Sequence, residues 1–450
     1  MSGTALGIIL IILVILIMVA TGRWKADAFL LLLACAFVFG LASGMGIENT
    51  LVTINQGFGN TLGSIGLVII FGAMIGVFLE RTGASGAIAG AMLRAVGQKR
   101  TGLALSLTGF IVSVPVFCDS GFIVLVPLVR ELARRAAAGR LALAVCLATG
   151  LYATHCLVPP TPGPIAAAQA LGADLGRVII LGLPVALILA LVGHFWSMRF
   201  AREKLPDEQT GIASEPELEV EKPSAVKLPS AWRSVLPILV PLLLITLGSL
   251  ARLETMPFGE GAAASLIKGA GHPVFALGLG LSLSFTLAWR GAPRRSWLAE
   301  GLRSCAMVLA VTAAGGAFGQ VIRSSELSKT LQEVLGTWKA GVLVPFVLAA
   351  ALKSAQGSST VSMITSAAIV LPLLEPLGLG SAGWGPELAV VAIGCGAMAV
   401  SHANDSYFWV VSQMAGIPVT TAYRVFTTAT ALMGLSGALV IYILSAVMLP

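Results

Sequence analysis

Six consecutive residues, Ser401-His402-Ala403-Asn404-Asp405-Ser406, set a carboxylate, an imidazole, a carboxamide and two hydroxyls between the apolar stretches 388–400 and 407–411. An ionised aspartate at mid-bilayer costs ~2.5–3.5 kcal/mol, so such groups face a cavity, a partner or a ligand. Asn, Asp and Ser also compete for backbone hydrogen bonds and favour turns over helix interiors. The stretch is therefore expected to break a membrane helix at a binding site, because freed backbone is tolerated only where it lines protein or water.

Three more interruptions have the same character. Ser113-Val-Pro115-Val-Phe-Cys118-Asp119-Ser120-Gly121 and Lys353-Ser354-Ala-Gln356-Gly357-Ser358-Ser359-Thr360 each separate two short apolar runs. Thr154-His155 precedes Pro159, Pro160, Pro162 and Pro164, which forbid a continuous helix. Of the 21 acidic residues only Asp119 and Asp405 fall well inside predicted hydrocarbon, and Lys353 is the only base there. Helix N-termini following Ser120-Gly121 and Ser359-Thr360 would offer open N–H groups and a positive dipole end to a carboxylate. Structural roles compete with these. Asp119 could cap a helix starting at Gly121, His155 and His402 could be packing histidines, and Lys353 could pair with Asp119 or Asp405.

The elements that must position these groups are membrane helices. Hydrophobic residues make up 57% of the 450 and charged residues 11%, the composition of a polytopic membrane protein. A net charge of +7 then reflects topology, not nucleic-acid binding. Six cysteines (35, 118, 146, 156, 305, 395) lie singly in apolar runs and read as packing residues, with neither a disulfide framework nor a metal site. The run 6–20 lacks a basic n-region and reads as a span, not a signal peptide. Predicted spans are 5–21, 27–46, 60–80, 141–158, 175–198, 234–251, 272–289, 303–322, 387–415 (broken) and 425–448. The short pairs 102–134 and 341–374 read as re-entrant hairpins, since each run is shorter than the ~20 residues of a spanning helix. Segments 84–100 and 325–338 read as amphipathic interfacial helices, and Gly72-x-x-x-Gly76 and Gly315-Gly316-x-x-Gly319 as helix-packing spacings.

The two halves resemble each other. Residues 142–155 align without gaps on 389–402, matching Thr154-His155 to Ser401-His402, and 123–129 align on 368–374. Residues 1–198 form a first repeat with a broken helix at 141–171. A polar cytoplasmic linker spans 199–233, and residues 234–450 form a second repeat with a broken helix at 387–415. With the hairpins re-entrant, 21 of the 28 Lys and Arg fall on one side, which the positive-inside bias makes cytoplasmic. The repeats are then inverted in the membrane, both termini lie outside, and the expected class is an all-α secondary transporter with about ten full spans.

These motifs resemble the gluconate permease (GntP-type) family of the ion transporter superfamily over nearly the whole length. The resemblance is carried by Gly57-Phe-Gly-Asn-Thr-Leu-Gly63, Pro115-Val-Phe-Cys-Asp119-Ser-Gly121-Phe, Thr154-His155 with Pro159-Pro160-x-Pro162-Gly163-Pro164, Ala355-Gln356-Gly357-Ser358-Ser-Thr360-Val, and Ser401-His402-x-Asn404-Asp405-Ser406-x-Phe-Trp409. It implies proton-coupled uptake of gluconate or a related small sugar or hydroxy acid across a bacterial inner membrane, by a homodimer with elevator motion. Two positions depart from gluconate-carrying members, which have His where this chain has Thr161 and Arg where it has Lys353. Arg grips a carboxylate bidentately and Lys offers a point charge, so D-glycerate or D-serine is an alternative substrate.

On this reading Ser120, Gly121, Lys353, Gln356, Gly357, Ser358, Ser359 and Thr360 bind the carboxylate end, and Thr161, Asn404 and Ser406 read hydroxyls. Asp119 or Asp405 carries the coupled proton, with His155 and His402 orienting or relaying it. No cofactor is expected, sodium is the alternative coupling ion, and the partners are the carboxylate and membrane lipid. A channel fits poorly with hairpins that enter from opposite faces. An intramembrane hydrolase would need a nucleophile turn that the sequence lacks.

Overall fold

The computed structural model describes residues 3–24, 26–97, 100–134, 138–205, 228–252, 257–259, 261–325, 341–380, 383–403 and 405–449. Among these residues all regular structure is helical. Six helices are long and apolar enough to cross a membrane, or seven if a pair bent by 66° near Gly271 counts as one span. The protein is thus a polytopic membrane protein. The other predicted spans correspond to shorter helices.

The first half runs α1 (Gly3–Arg23), α2 (Ala28–Ala42), α3 (Gly46–Arg81), α4 (Ala84–Val96), the hairpin α5 (Thr101–Val112) and α6 (Cys118–Ala133), the broken pair α7 (Arg140–Leu157) and α8 (Pro162–Leu171), and α9 (Leu175–Met198). The second runs α10 (Ala231–Leu250), the bent pair α11 (Ala262–Ala270) and α12 (Pro273–Phe285), α13 (Arg294–Arg323), the hairpin α14 (Leu343–Gln356) and α15 (Ser359–Val370), the broken pair α16 (Gly385–Met398) and α17 (Ser406–Ala415), and α18 (Val419–Met448). Long helix, hairpin, broken pair and long helix thus recur in order. Residues 206–227 of the expected linker and most of the amphipathic segment 325–338 lie outside the described residues.

Packing interlocks the halves. Each first hairpin arm lies on the first member of its own broken pair, α5 on α7 and α14 on α16. Each second arm lies on the second member of the other pair, α6 on α17 and α15 on α8. The centre is α7 and α16, buried at every position from Leu141 to Leu157 and from Gly385 to Met398. A helix that is apolar all round is expected in such a place.

Two helices are longer than hydropathy suggests. α3 begins at Gly46, not 60, and α13 at Arg294, not 303. Their early turns carry Glu48, Asn49 and Asn55, and Arg294, Arg295 and Glu300, which lower the apolar average. They stay helical because α3 and α13 pack along each other. At the closest approach a Cβ on Gly57 would sit 2.8 Å from Ala317 Cα, so the backbones nearly touch. Farther along α3, Gly72 and Gly76 face the carbonyls of Pro160 and Pro115, at 3.0 and 2.6 Å from an added Cβ. The packing role read for that glycine pair is to seat two of the helix breaks.

Candidate functional site

Hairpin two ends in a short turn. α14 closes at Gly357, whose φ of +78° is a left-handed conformation natural to glycine, and its N–H donates to the Lys353 carbonyl at 2.8 Å. Ser358 then caps α15, its Oγ accepting from Val361 N at 3.3 Å. The N–H groups of Ser359 and Thr360 precede any intrahelical acceptor and point off the helix start. Lys353 sits in the last turn of α14, where a cation suits the dipole.

Lys353 is fully buried, and its Nζ lies 2.8 Å from Oδ2 of Asp405, itself 3% exposed. Asp405 caps α17 through Oδ1, which accepts from Tyr407 N at 3.1 Å, and Oδ2 also accepts from the Ser401 hydroxyl. This carboxylate therefore holds one cation, one hydroxyl and one N–H. Of the two acids open to Lys353 in the sequence, the structure selects Asp405. His402 Nε2 meets the Ser354 carbonyl at 3.1 Å. A carbonyl only accepts, so that nitrogen carries the proton.

Hairpin one differs. α6 begins at Cys118, three residues before the expected start, and its N-cap is Phe117. Asp119 therefore lies within the first turn and is not the cap. Its Oδ1 is buried without a partner, and it stands within electrostatic reach of both Asp405 and Lys353. Gly121 N–H donates to the Phe117 carbonyl at 2.8 Å, so the open donors are those of residues 118–120, not Gly121. Gly121 serves packing, since a Cβ there would meet Leu151 Cδ2 at 2.8 Å.

The first broken pair completes the cluster. His155 is 5% exposed, with its ring 5.9 Å from that of Phe117 and Nδ1 unpartnered. Thr154 Oγ1 and both amide atoms of Gln356 are also buried and unpartnered. Buried polar atoms are rarely left unsatisfied, so this set around two helix breaks and a hairpin tip is a candidate place for water or a polar ligand. Thr161 Oγ1 donates to the Val158 carbonyl at 2.6 Å and holds the proline turn. Ser406 is exposed at the start of α17, and Asn404 lies outside the described residues.

Several supporting residues went unread in the sequence. α18 contains a π-helical turn, Tyr423–Thr427, of the kind found at functional sites. There Thr427 Oγ1 donates to the Ser401 carbonyl at 2.6 Å, Thr430 Oγ1 accepts from Ser401 N at 2.9 Å, and Tyr423 OH accepts from Ala403 N at 3.3 Å. Tyr407 OH donates to Ala148 O at 2.9 Å and its ring lies 5.1 Å from that of Tyr152. Three of the four tyrosines in the chain thus surround the break, which was the available signal. One further acid is drawn inside: Glu387 is 3% exposed, with Asp174 N donating to its Oε1 at 3.1 Å.

A membrane-embedded cluster of this kind, built from helix breaks and a hairpin tip, fits a transporter. The chain belongs to the GntP family of permeases, whose profile matches residues 4–447, and it is a transporter, not an enzyme. It is 32% identical to a gluconate permease of Pseudomonas aeruginosa over 446 residues, covering 97% of each chain. It is also 32% identical to the D-serine transporter DsdX of Escherichia coli K12, covering 94% of each. Its fold is similar to the solved structure of Neisseria gonorrhoeae MtrF, with a TM-score of 0.66, 16% identity and coverage of 95% and 96%.

Proposed function

We propose that this permease is a proton-coupled symporter of a small hydroxylated carboxylate, importing gluconate, D-glycerate or D-serine across the bacterial inner membrane. The observation that carries it is the buried Lys353–Asp405 pair at the tip of hairpin two. An arriving carboxylate competes with Asp405 for Lys353 and takes the open N–H groups of Ser359 and Thr360. An ionised Asp405 deprived of its counterion in the protein interior is costly, so a proton joins it. Anion and proton then occupy the site together, and neither moves productively alone. Gln356, Thr154 and the neighbouring hydroxyls supply partners for the substrate's own hydroxyls.

The recurring element order and the basic bias of one side support an inverted repeat with both termini outside, and a dimer with moving transport domains accompanies this reading. A tag at either terminus is expected to react from outside intact spheroplasts; protection of both would reverse the orientation. The principal test is uptake of labelled gluconate, glycerate and D-serine into proteoliposomes under an inward proton gradient, then an inward sodium gradient. Accumulation of one acid under the proton gradient alone is expected. Accumulation under sodium alone would transfer the coupling to that ion, and none under either would remove the reading.

A further inference from the structure

A cavity of about 210 Å³ lies apart from the hairpin tips, between α3, α8, α13 and α15. Its polar lining is Asn60, Thr61, Gln169, Thr312, Gln320 and Arg323. Thr312 is 3% exposed and its Oγ1 has no hydrogen-bond partner. Thr312 and Arg323 are eleven residues apart, three turns of α13, and so share a face with ~16 Å of rise between them. Gly319 lies between them, and a Cβ there would reach only ordinary contact, 3.5 Å from Leu371. The cavity is thus a polar slot with a hydroxyl at one end and a guanidinium at the other.

A second cavity of about 400 Å³ adjoins the first at Arg323 and Leu371. Of its charged residues, Asp174 caps α9 by accepting from Arg177 N at 2.9 Å, and Glu387 accepts from Asp174 N. Arg177 donates to Gly383 O at 3.2 Å and lies 5.3 Å from the Trp384 ring. Glu375 also lines this second cavity. Arg323 is exposed at the end of α13 and makes no ion pair among the described residues, and its planar donor fork suits a carboxylate. In the other direction, Ile364 of the first cavity is five residues, ~7.5 Å of helix, from Ser359 at the hairpin tip.

We propose that this slot is a second, outer site for the transported carboxylate, with Arg323 holding the carboxylate and Thr312 a hydroxyl, before the acid reaches Lys353. The proposal rests on the organic-acid symport argued above. It is tested in reconstituted full-length protein. Arg323→Gln should raise KM roughly tenfold with Vmax within about twofold, the loss of one charge-assisted contact, and Arg323→Lys should restore part of it. Thr312→Val should raise KM more modestly. The second readout is a Gln320→Cys reporter, clean because the six native cysteines are buried. In a Lys353→Gln/Asp405→Asn background, which neutralises the central pair as a unit, the transported acid should still slow labelling by an impermeant thiol reagent. Adding Arg323→Gln should abolish that protection. Wild-type transport with an unchanged KM in Arg323→Gln, or protection that survives it, overturns the outer site alone. A wild type that carries none of the acids instead overturns the transport reading on which it depends.

Discussion

The two halves interrupt their helices by different chemistry. In the first, prolines do the work: Pro115 and the run Pro159–Pro164 remove donors and block helical backbone, and Gly72 and Gly76 of α3 receive the carbonyls of Pro160 and Pro115 respectively. The acid left there, Asp119, has an oxygen without a partner. In the second, side chains do the work: Asp405 gathers Lys353, Ser401 and Tyr407 N, while Thr427 and Thr430 hold the backbone C=O and N–H of Ser401. A proline break has one conformation set by covalent structure. A break held by an ion pair and hydroxyls can exchange its partners for a ligand's. On the mechanism proposed above, the first break is rigid support and the second changes with the ligand.

The largest expected effect is on coupling. Asp405→Asn should abolish accumulation driven by a proton gradient while sparing counterflow exchange, and it should tighten substrate binding because the anion then replaces the carboxylate that Lys353 has lost. Driven uptake that survives intact would remove Asp405 as the proton carrier. Lys353→Gln should destabilise the protein by about 3–5 kcal/mol, since it strands a buried carboxylate. The double variant with Asp405→Asn should recover most of that loss in thermal unfolding; failure to recover would mean the pair is not a unit. Asp119→Asn should slow driven uptake but leave accumulation in place. If the two aspartate variants exchange these phenotypes, the roles of the two halves exchange with them. Smaller effects test the hydroxyl scaffold. Thr427→Val should cost about 0.5–1.5 kcal/mol, one hydrogen bond, read as a lower melting temperature. Val400 precedes the second break with φ of +53°, a strained conformation for a β-branched residue. Val400→Gly should therefore relieve about 1–3 kcal/mol of strain locally, and an unchanged or lower melting temperature would show that the strain is already compensated.

Much of the site was legible because polar groups inside apolar runs are conspicuous. Asp119, Lys353, Asp405 and both histidines stand out on that ground alone, and the structure brings Lys353 and Asp405 together and Asp119 within electrostatic reach. Less legible were groups that are ordinary where they stand. Thr427 and Thr430 are single hydroxyls in an apolar helix, and Tyr152 reads as an aromatic. Glu387 sits at a predicted span end, where an acid is unremarkable, yet packing buries it against the Asp174 N–H. Arg323 falls just past the end of a predicted span, where a base is unremarkable, and its cavity needs four helices from both halves to exist.

By itself the sequence determined that this protein lives in a membrane and that polar stretches interrupt its apolar runs at four places. Those are local consequences of hydropathy, of proline's missing donor and of side chains that compete for backbone hydrogen bonds. Only the tertiary structure decided that Lys353 pairs with Asp405 across 52 residues, that α6 begins at Cys118, and that α3 and α13 keep their polar ends helical. Partner choice depends on which helix faces which, and that is set by close packing of small residues across the whole chain.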